Sequence, residues 1–120
     1  MISQFRLVTP EVLNNNGTLF GGITMQWMDE IAYIAAIRIT RQKMVTVSVD
    51  NLQFLSPIKP DSLVEITVDL LKAGHASVVL LVQVFAEGMY TSDRCLSVSA
   101  NFKFAAVGVD EKPYLIKKLN

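Results

Sequence analysis

The chain has a single cysteine, Cys95, and a single histidine, His75. No intrachain disulfide can form, which agrees with a reducing compartment. A closed zinc site is disfavoured as well, because one thiol and one imidazole without clustered partners do not make a ligand set. Neither sign of charge is in excess: 11 Lys plus Arg stand against 11 Asp plus Glu. A polyanionic partner therefore has little to hold it, and basic residues are not interleaved with aromatics as in a nucleic-acid groove. Long apolar runs are missing too. Ile31 to Ile39 is too short to span a bilayer and runs into Arg38, Thr40 and Arg41. Met1 to Pro10 lacks a basic patch followed by an apolar run, so no secretory leader is visible and the chain reads as cytoplasmic. Repeats, low-complexity segments and linkers are absent, and residues 1–120 read as one domain with one core. Gly17 to Gly22 is not a dinucleotide fingerprint, since a third glycine and a leading strand are wanting. Without a nucleophile elbow, Cys95 or Ser77 paired with His75 carries little weight as a catalytic pair.

What the chain does have is apolar content, 51% of its residues, with a mean hydropathy of +0.36. For a small domain with no membrane span, that points to a subunit hiding apolar surface against copies of itself. Phe5 to Val8 suggests a short first strand, ended by Pro10. A polar loop follows at Asn14, Asn15, Asn16 and Gly17. The run from Ile23 to about Thr40 is helical and apolar on most faces, which marks a core helix, about 27 Å long at ~1.5 Å per residue. Period-two patterns then predict strands over Met44 to Leu55, Leu63 to Leu71, Ser77 to Ala86 and Arg94 to Val107. In the last of these Leu96, Val98, Ala100, Phe102, Phe104 and Ala106 fall on one face. Ser77 to Ala86 is apolar on both faces, so it is expected to be covered on both sides. Asp110 to Asn120 reads as a surface tail. The order predicts an α+β architecture of two layers, a helix against an antiparallel sheet.

The chemically unusual residues cluster around the helix. Asp29 sits among apolar neighbours in Trp27-Met28-Asp29-Glu30-Ile31, where a buried carboxylate costs several kcal/mol unless paired; the alternative is a solvent-facing Asp on a subunit rim. Gly21 and Gly22 stand at the helix start. Free amides there stabilise a developing oxyanion, and glycine admits a carbonyl closely; a tightly packed joint would also use them. Asn14 and Asn16 suit the orientation of a water or a carbonyl, or the capping of their own turn.

The stretch Pro10 to Gly22 followed by Met28-Asp29-Glu30-Ile31-Ala32 resembles the acyl-coenzyme A thioesterases of the hotdog superfamily. The family pattern is Asn, two residues, Gly, three residues, Gly-Gly, six residues, Asp, met here by Asn14, Gly17, Gly21, Gly22 and Asp29. The resemblance extends to Val45 to Asp50, to Phe54-Leu55 with Pro57, to Gly74 with Ser77, and to Phe102-Lys103-Phe104. It covers Pro10 to Pro113. It departs at Phe20, where some relatives have histidine, and at Ser56, where many have a basic residue that helps to hold the coenzyme A phosphates. Arg38, Arg41, Lys43, Lys59 and Lys72 are the candidates left for that task.

The resemblance implies a hotdog fold, a long central helix wrapped by a curved antiparallel sheet, in a homodimer or higher oligomer with its site at the subunit interface. It implies hydrolysis of acyl-CoA to free acid and coenzyme A. Asp29 would be general base or nucleophile, Asn14 would orient water or thioester, and Gly22 would supply an oxyanion amide. Gly21, Phe54, Pro57, Gly74 and Ser77 would contact the coenzyme A ester, with the acyl group near Trp27, Met28, Ile31 or Phe54. No cofactor and no metal are expected, coenzyme A being part of the substrate. Partners are acyl-CoA and the chain itself, with no nucleic acid and no membrane. Alternatives are a non-catalytic acyl-CoA-binding or regulatory domain and an acyl-carrier-protein thioesterase. A hotdog dehydratase is disfavoured because His75, the only histidine, lies in a turn.

Overall fold

The computed structural model describes all 120 residues. A first strand β1 (Ile2–Leu7) leads through a 3-10 turn at Pro10–Val12 and the polar loop into α1 (Gly21–Thr40); β2 (Met44–Phe54), β3 (Ser62–Ala73), β4 (Ser77–Gly88) and β5 (Arg94–Ala106) follow. The strands form one antiparallel sheet in the order β1-β3-β4-β5-β2, so β1 and β2 are its edges. This is the hotdog arrangement the resemblance implies.

α1 packs on the sheet through Thr24, Met28, Ile31, Ala32, Ala35, Ala36 and Thr40. Their spacing of three or four residues draws one stripe along the helix, and three alanines in it let helix and sheet approach closely. The helix is thus buried on one side only: Tyr33 and Ile34 are 37% and 40% exposed in the single chain. The all-round apolar character read from the sequence therefore serves two surfaces, the sheet on one side and an uncovered face on the other. The inner sheet face contributes Val64, Ile66, Val78, Leu80, Val82, Val84, Val98, Phe102 and Phe104 to a single core cluster. Each fully buried side chain of this size contributes about 1.5–3 kcal/mol.

Several boundaries differ from expectation for visible reasons. β1 begins at Ile2, not Phe5, and ends at Leu7. Its half-buried positions, on the helix side of the sheet, include the polar Gln4 and Arg6, while Phe5 and Leu7 face outward, an inverted pattern that hides the strand. α1 starts at Gly21, two residues before Ile23. Leu96 does not share the face of Val98. β5 pairs Val98 with Val84 but Leu96 with Phe85, so an extra residue, Ser97, is accommodated as a bulge. The bulge buries Ser97 and turns Leu96 to the outer face with Phe85. β4 has its inner residues fully buried, while Val79, Leu81 and Phe85 on the outer face are only half-buried, so the single chain leaves that face incompletely covered.

β2 departs furthest. Val45 is 41% exposed, Val47 54% and Phe54 54%. Its register against β5 shifts twice, between Thr46 and Ser48 and between Asp50 and Gln53, and Asn51 has φ 53°. It is an apolar, irregular edge strand. No helix is long and apolar enough to cross a membrane.

Candidate active site

The polar loop is held by its first asparagine. Asn14 Oδ1 accepts from the amides of Asn16 at 2.9 Å and Thr18 at 3.1 Å, and the Asn14 amide donates to the Thr18 carbonyl at 2.7 Å. The carboxamide thus fills the Asx-turn role that the sequence left open, while Asn16 contributes its backbone. Leu19 donates to the Ile58 carbonyl at 2.9 Å, which ties the loop to the segment after β2.

The loop delivers the chain into α1 with Phe20 as N-cap and no side-chain cap. The first amide of the helix with an acceptor is Thr24, bonded to the Phe20 carbonyl at 3.0 Å; those of Gly21, Gly22 and Ile23 have none within the chain. Three uncapped N–H groups carry the positive end of the helix dipole. The two glycines differ in what surrounds them. A Cβ on Gly21 would stand 3.5 Å from the Phe54 ring, whereas one on Gly22 would meet nothing within 4 Å. Gly22 faces open space, and Gly21 leaves room for the aromatic.

Phe54 ends β2, and Leu55 and Ser56 both donate their amides to the carbonyl of the bulged Ser97, at 2.8 and 3.3 Å. The bulge in β5 therefore sets how the chain leaves β2. Gly21, Thr24, Phe54, Leu55, Ser56 and Pro57 line a groove of about 320 Å³ at this end of the molecule.

Asp29 lies on the same helix, seven residues beyond Gly22, which is about 10 Å at ~1.5 Å per residue. It is half-buried, neither a core carboxylate nor a free surface one. Its Oδ1 accepts a hydrogen bond from Thr46 Oγ1 at 2.9 Å. Thr46 is on β2 immediately before the first bulge. The sequence reading missed Thr46; a hydroxyl in a strand gives no signal until the fold shows which helix position it faces.

Gly74 and Ser77 are in contact with each other, the Gly74 amide donating to the Ser77 carbonyl at 2.8 Å. They stand far from the groove. Ser77 pairs with Ala105, which pairs with Val45, whereas Phe54 pairs with Val98. One chain thus divides the predicted site residues into two groups. Asn14, Gly21, Gly22, Phe54 and Pro57 gather at one end, while Asp29 with Thr46 lies nearer Gly74 and Ser77 at the other. Met28 and Ile31 are fully buried against the sheet and belong to the packing stripe. Trp27 is half-buried and Phe54 exposed, and both are available. Of the basic candidates, Lys59 lines a second groove that shares Ser56 and Pro57 with the first. Lys43 faces Glu111 at 3.9 Å, and Arg38 and Arg41 line a groove at the other end of α1. No three His, Cys, Asp or Glu side chains converge as metal ligands would.

With this geometry in place, known proteins give it a context. Residues 16–92 match the family model of the thioesterase superfamily. The chain is 34% identical over 112 residues to a Bacillus subtilis protein named as an uncharacterized acyl-CoA thioester hydrolase, the match taking in 93% of this chain and 65% of that relative. The chain therefore spans just under two thirds of that relative's length. Among solved structures, it is similar to a hexameric thioesterase of Yersinia pestis, with 32% identity, a TM-score of 0.86 and coverage of 98% of this chain and 93% of that one. It is also similar to an acyl-CoA hydrolase of Staphylococcus aureus in complex with butyryl coenzyme A, with 29% identity, a TM-score of 0.90 and coverage of 98% and 71%.

Proposed function

Because the chain belongs to the thioesterase superfamily, we propose that residues 1–120 form one catalytic domain that hydrolyses acyl-coenzyme A thioesters to a free acid and coenzyme A. One observation carries this reading most of the way. A half-buried carboxylate, Asp29, is held by Thr46 on the open edge of the chain, and two uncapped glycine amides flank the far end of that same edge. Thioester hydrolysis needs an oxygen nucleophile and an electrophilic cradle for the carbonyl oxygen, and these groups supply both.

They cannot do so within one chain. A general base must come within about 3 Å of its proton or act through one water, and Asp29 and Gly22 are too far apart along the helix. A second copy resolves the separation. β2 is an edge strand with Val45, Val47, Leu52 and Phe54 exposed, a surface that fits antiparallel pairing with itself. Two-fold pairing centred near Asp50 sets Thr46 of one protomer beside the partner subunit's Phe54. Asp29 of the first then meets the partner subunit's Gly22 and Asn14. The assembly is at least a homodimer, with each site shared.

In the first of two routes, Asp29 takes a proton from water as the water oxygen attacks the carbonyl carbon. The oxyanion forms on the Gly21 and Gly22 amides, the C–S bond breaks, and the thiolate takes up a proton. In the second, the Asp29 carboxylate itself attacks, expelling the thiolate, and water then cleaves the anhydride. Neither route calls on a metal or redox group, so coenzyme A enters only as part of the substrate. Phe54 and Pro57 from one protomer, with Gly74 and Ser77 from the other, would line the path of the coenzyme A ester, and Lys59, in the groove that shares Ser56 and Pro57, would stand beside it. A cytoplasmic setting suits the free, exposed thiol of Cys95, a state that a reducing compartment maintains.

The decisive experiment is thiol release across a panel of acyl-CoA chain lengths. We expect turnover of at least some members. Binding without thiol release would support a non-catalytic acyl-CoA module instead, and turnover of acyl-carrier-protein thioesters alone would move the substrate class. Thr46→Val, which removes the hydroxyl and keeps the shape, should lower kcat about tenfold with little change in KM, the size expected for one hydrogen bond to a charged group. An unchanged kcat would remove Thr46 from the site.

A further inference from the structure

Asn14 and Thr18 are bonded to each other through both side chains and backbone. A carboxamide has one acceptor oxygen with two lone pairs and an NH2 with two hydrogens. The backbone amides of Asn16 and Thr18 both point at the same terminal atom of Asn14, at 2.9 and 3.1 Å. Only an oxygen can receive them, so these donors fix which end of the group is which. The Nδ2 end donates to Thr18 Oγ1 at 3.0 Å, and that hydroxyl donates in turn to Oδ1 at 3.2 Å. One Nδ2 hydrogen goes to that hydroxyl, and the other has no acceptor within the chain. The Leu13–Leu19 bridge closes the loop around this pair, and the Leu19 amide fastens it to Ile58 beside the groove.

We propose that Thr18 is a positioning residue for the reaction: its hydroxyl holds the Asn14 carboxamide in one rotation and so presents a single Nδ2–H to the reacting group. This rests on the thioester hydrolase reading above and sharpens it. With Oδ1 committed to two backbone amides and the Thr18 hydroxyl, Asn14 acts as a hydrogen-bond donor, to the thioester carbonyl or to the oxygen of the attacking water. It does not accept the water's proton, and that task is left to Asp29. Threonine suits the position because a β-branched side chain has few χ1 choices, which keeps the hydroxyl in place between turnovers. Serine offers the same oxygen with less restriction.

The test uses the 120-residue chain in four variants, assayed for kcat and KM on an acyl-CoA that the wild type turns over. Asn14→Asp keeps the acceptor atoms of the turn and deletes the donor; kcat should fall by two orders of magnitude or so, within the range seen for loss of one preorganised donor, with KM little changed. Asn14→Ala should fall at least as far. Thr18→Val should lose about tenfold in kcat, and Thr18→Ser should recover to within about threefold of wild type, as expected if a hydrogen bond and not bulk is what matters. An Asn14→Ala variant with normal kcat would remove Asn14 from the catalytic machinery. Dead Asn14 variants alongside a fully active Thr18→Val would overturn the positioning role alone, leaving the thioesterase reading intact. A second measurement stands apart from activity. In 15N-labelled protein the two Asn14 Nδ2 hydrogens should exchange with solvent at clearly different rates, and Thr18→Val should bring the rates together. Equal rates in the wild type would overturn the proposal even if no acyl-CoA were hydrolysed.

Discussion

Asp29→Asn should fold, assemble and bind acyl-CoA, yet release thiol at least a hundredfold more slowly than wild type, in line with the usual worth of a positioned acid–base group. The substitution is nearly isosteric, and a carboxamide oxygen still accepts from Thr46 Oγ1, so the local structure is expected to persist. What disappears is the ability to take a proton or to attack carbon. The more searching version mixes subunits. Asp29→Asn and Asn14→Ala homodimers should each be nearly inactive. After subunit exchange about half the dimers are mixed, and each mixed dimer holds one site with both residues intact, so about a quarter of wild-type sites should return. Near wild-type turnover by Asp29→Asn would end its catalytic assignment. Two dead variants that stay dead despite demonstrated exchange would end the shared site while leaving Asp29 in place.

The second large effect belongs to the edge strand. Val47→Lys combined with Leu52→Lys should convert the assembly to a monomer of 13.3 kDa and abolish most thiol release. Both residues are exposed in the single chain, at 54% and 39%, so the fold itself should lose no more than about 0.5 kcal/mol per position. Four lysines from two copies set along one apolar seam are another matter, since desolvation and the crowding of like charge both oppose pairing. Sedimentation at low micromolar concentration, with circular dichroism to confirm the fold, reads the result. A folded monomer with full activity would show that one chain holds a complete site. An intact dimer would show that β2 is not where copies meet.

The elements legible in the sequence were those whose pattern has one cause. The strand β3 alternates apolar and polar residues because its inner residues meet the helix, and the helix ends at Thr40 where the apolar run ends. Legibility failed where one pattern served two surfaces. The helix is apolar almost all round, and nothing in its sequence separates the stripe under the sheet from the face left open. Val45 and Val47 alternate like core residues yet are exposed. Leu96 continues the alternation of β5 through a bulge that no residue type announces. The spaced Asn, Gly-Gly and Asp motif identified the candidate site residues, but their distribution over two ends of the sheet follows from strand register, which is a long-range property. Thr46 was invisible for the same reason. Its bond to Asp29 joins residues 17 apart in sequence on different elements.

The irregularity of β2 has a further bearing on how this chain behaves in concentrated solution. A long apolar edge is the usual seed of runaway strand addition and fibre growth. Here two offsets and the left-handed Asn51 give that edge a shape that a flat, regular strand does not match. A copy turned about a two-fold axis carries the same shape, and once it is seated both long edges are consumed. The edges then left are the two β1 strands, only six residues each, with Gln4 and Arg6 set into them. In the dimer we propose, the distortion that brings catalytic groups of two chains together also stops the sheet from growing past two copies.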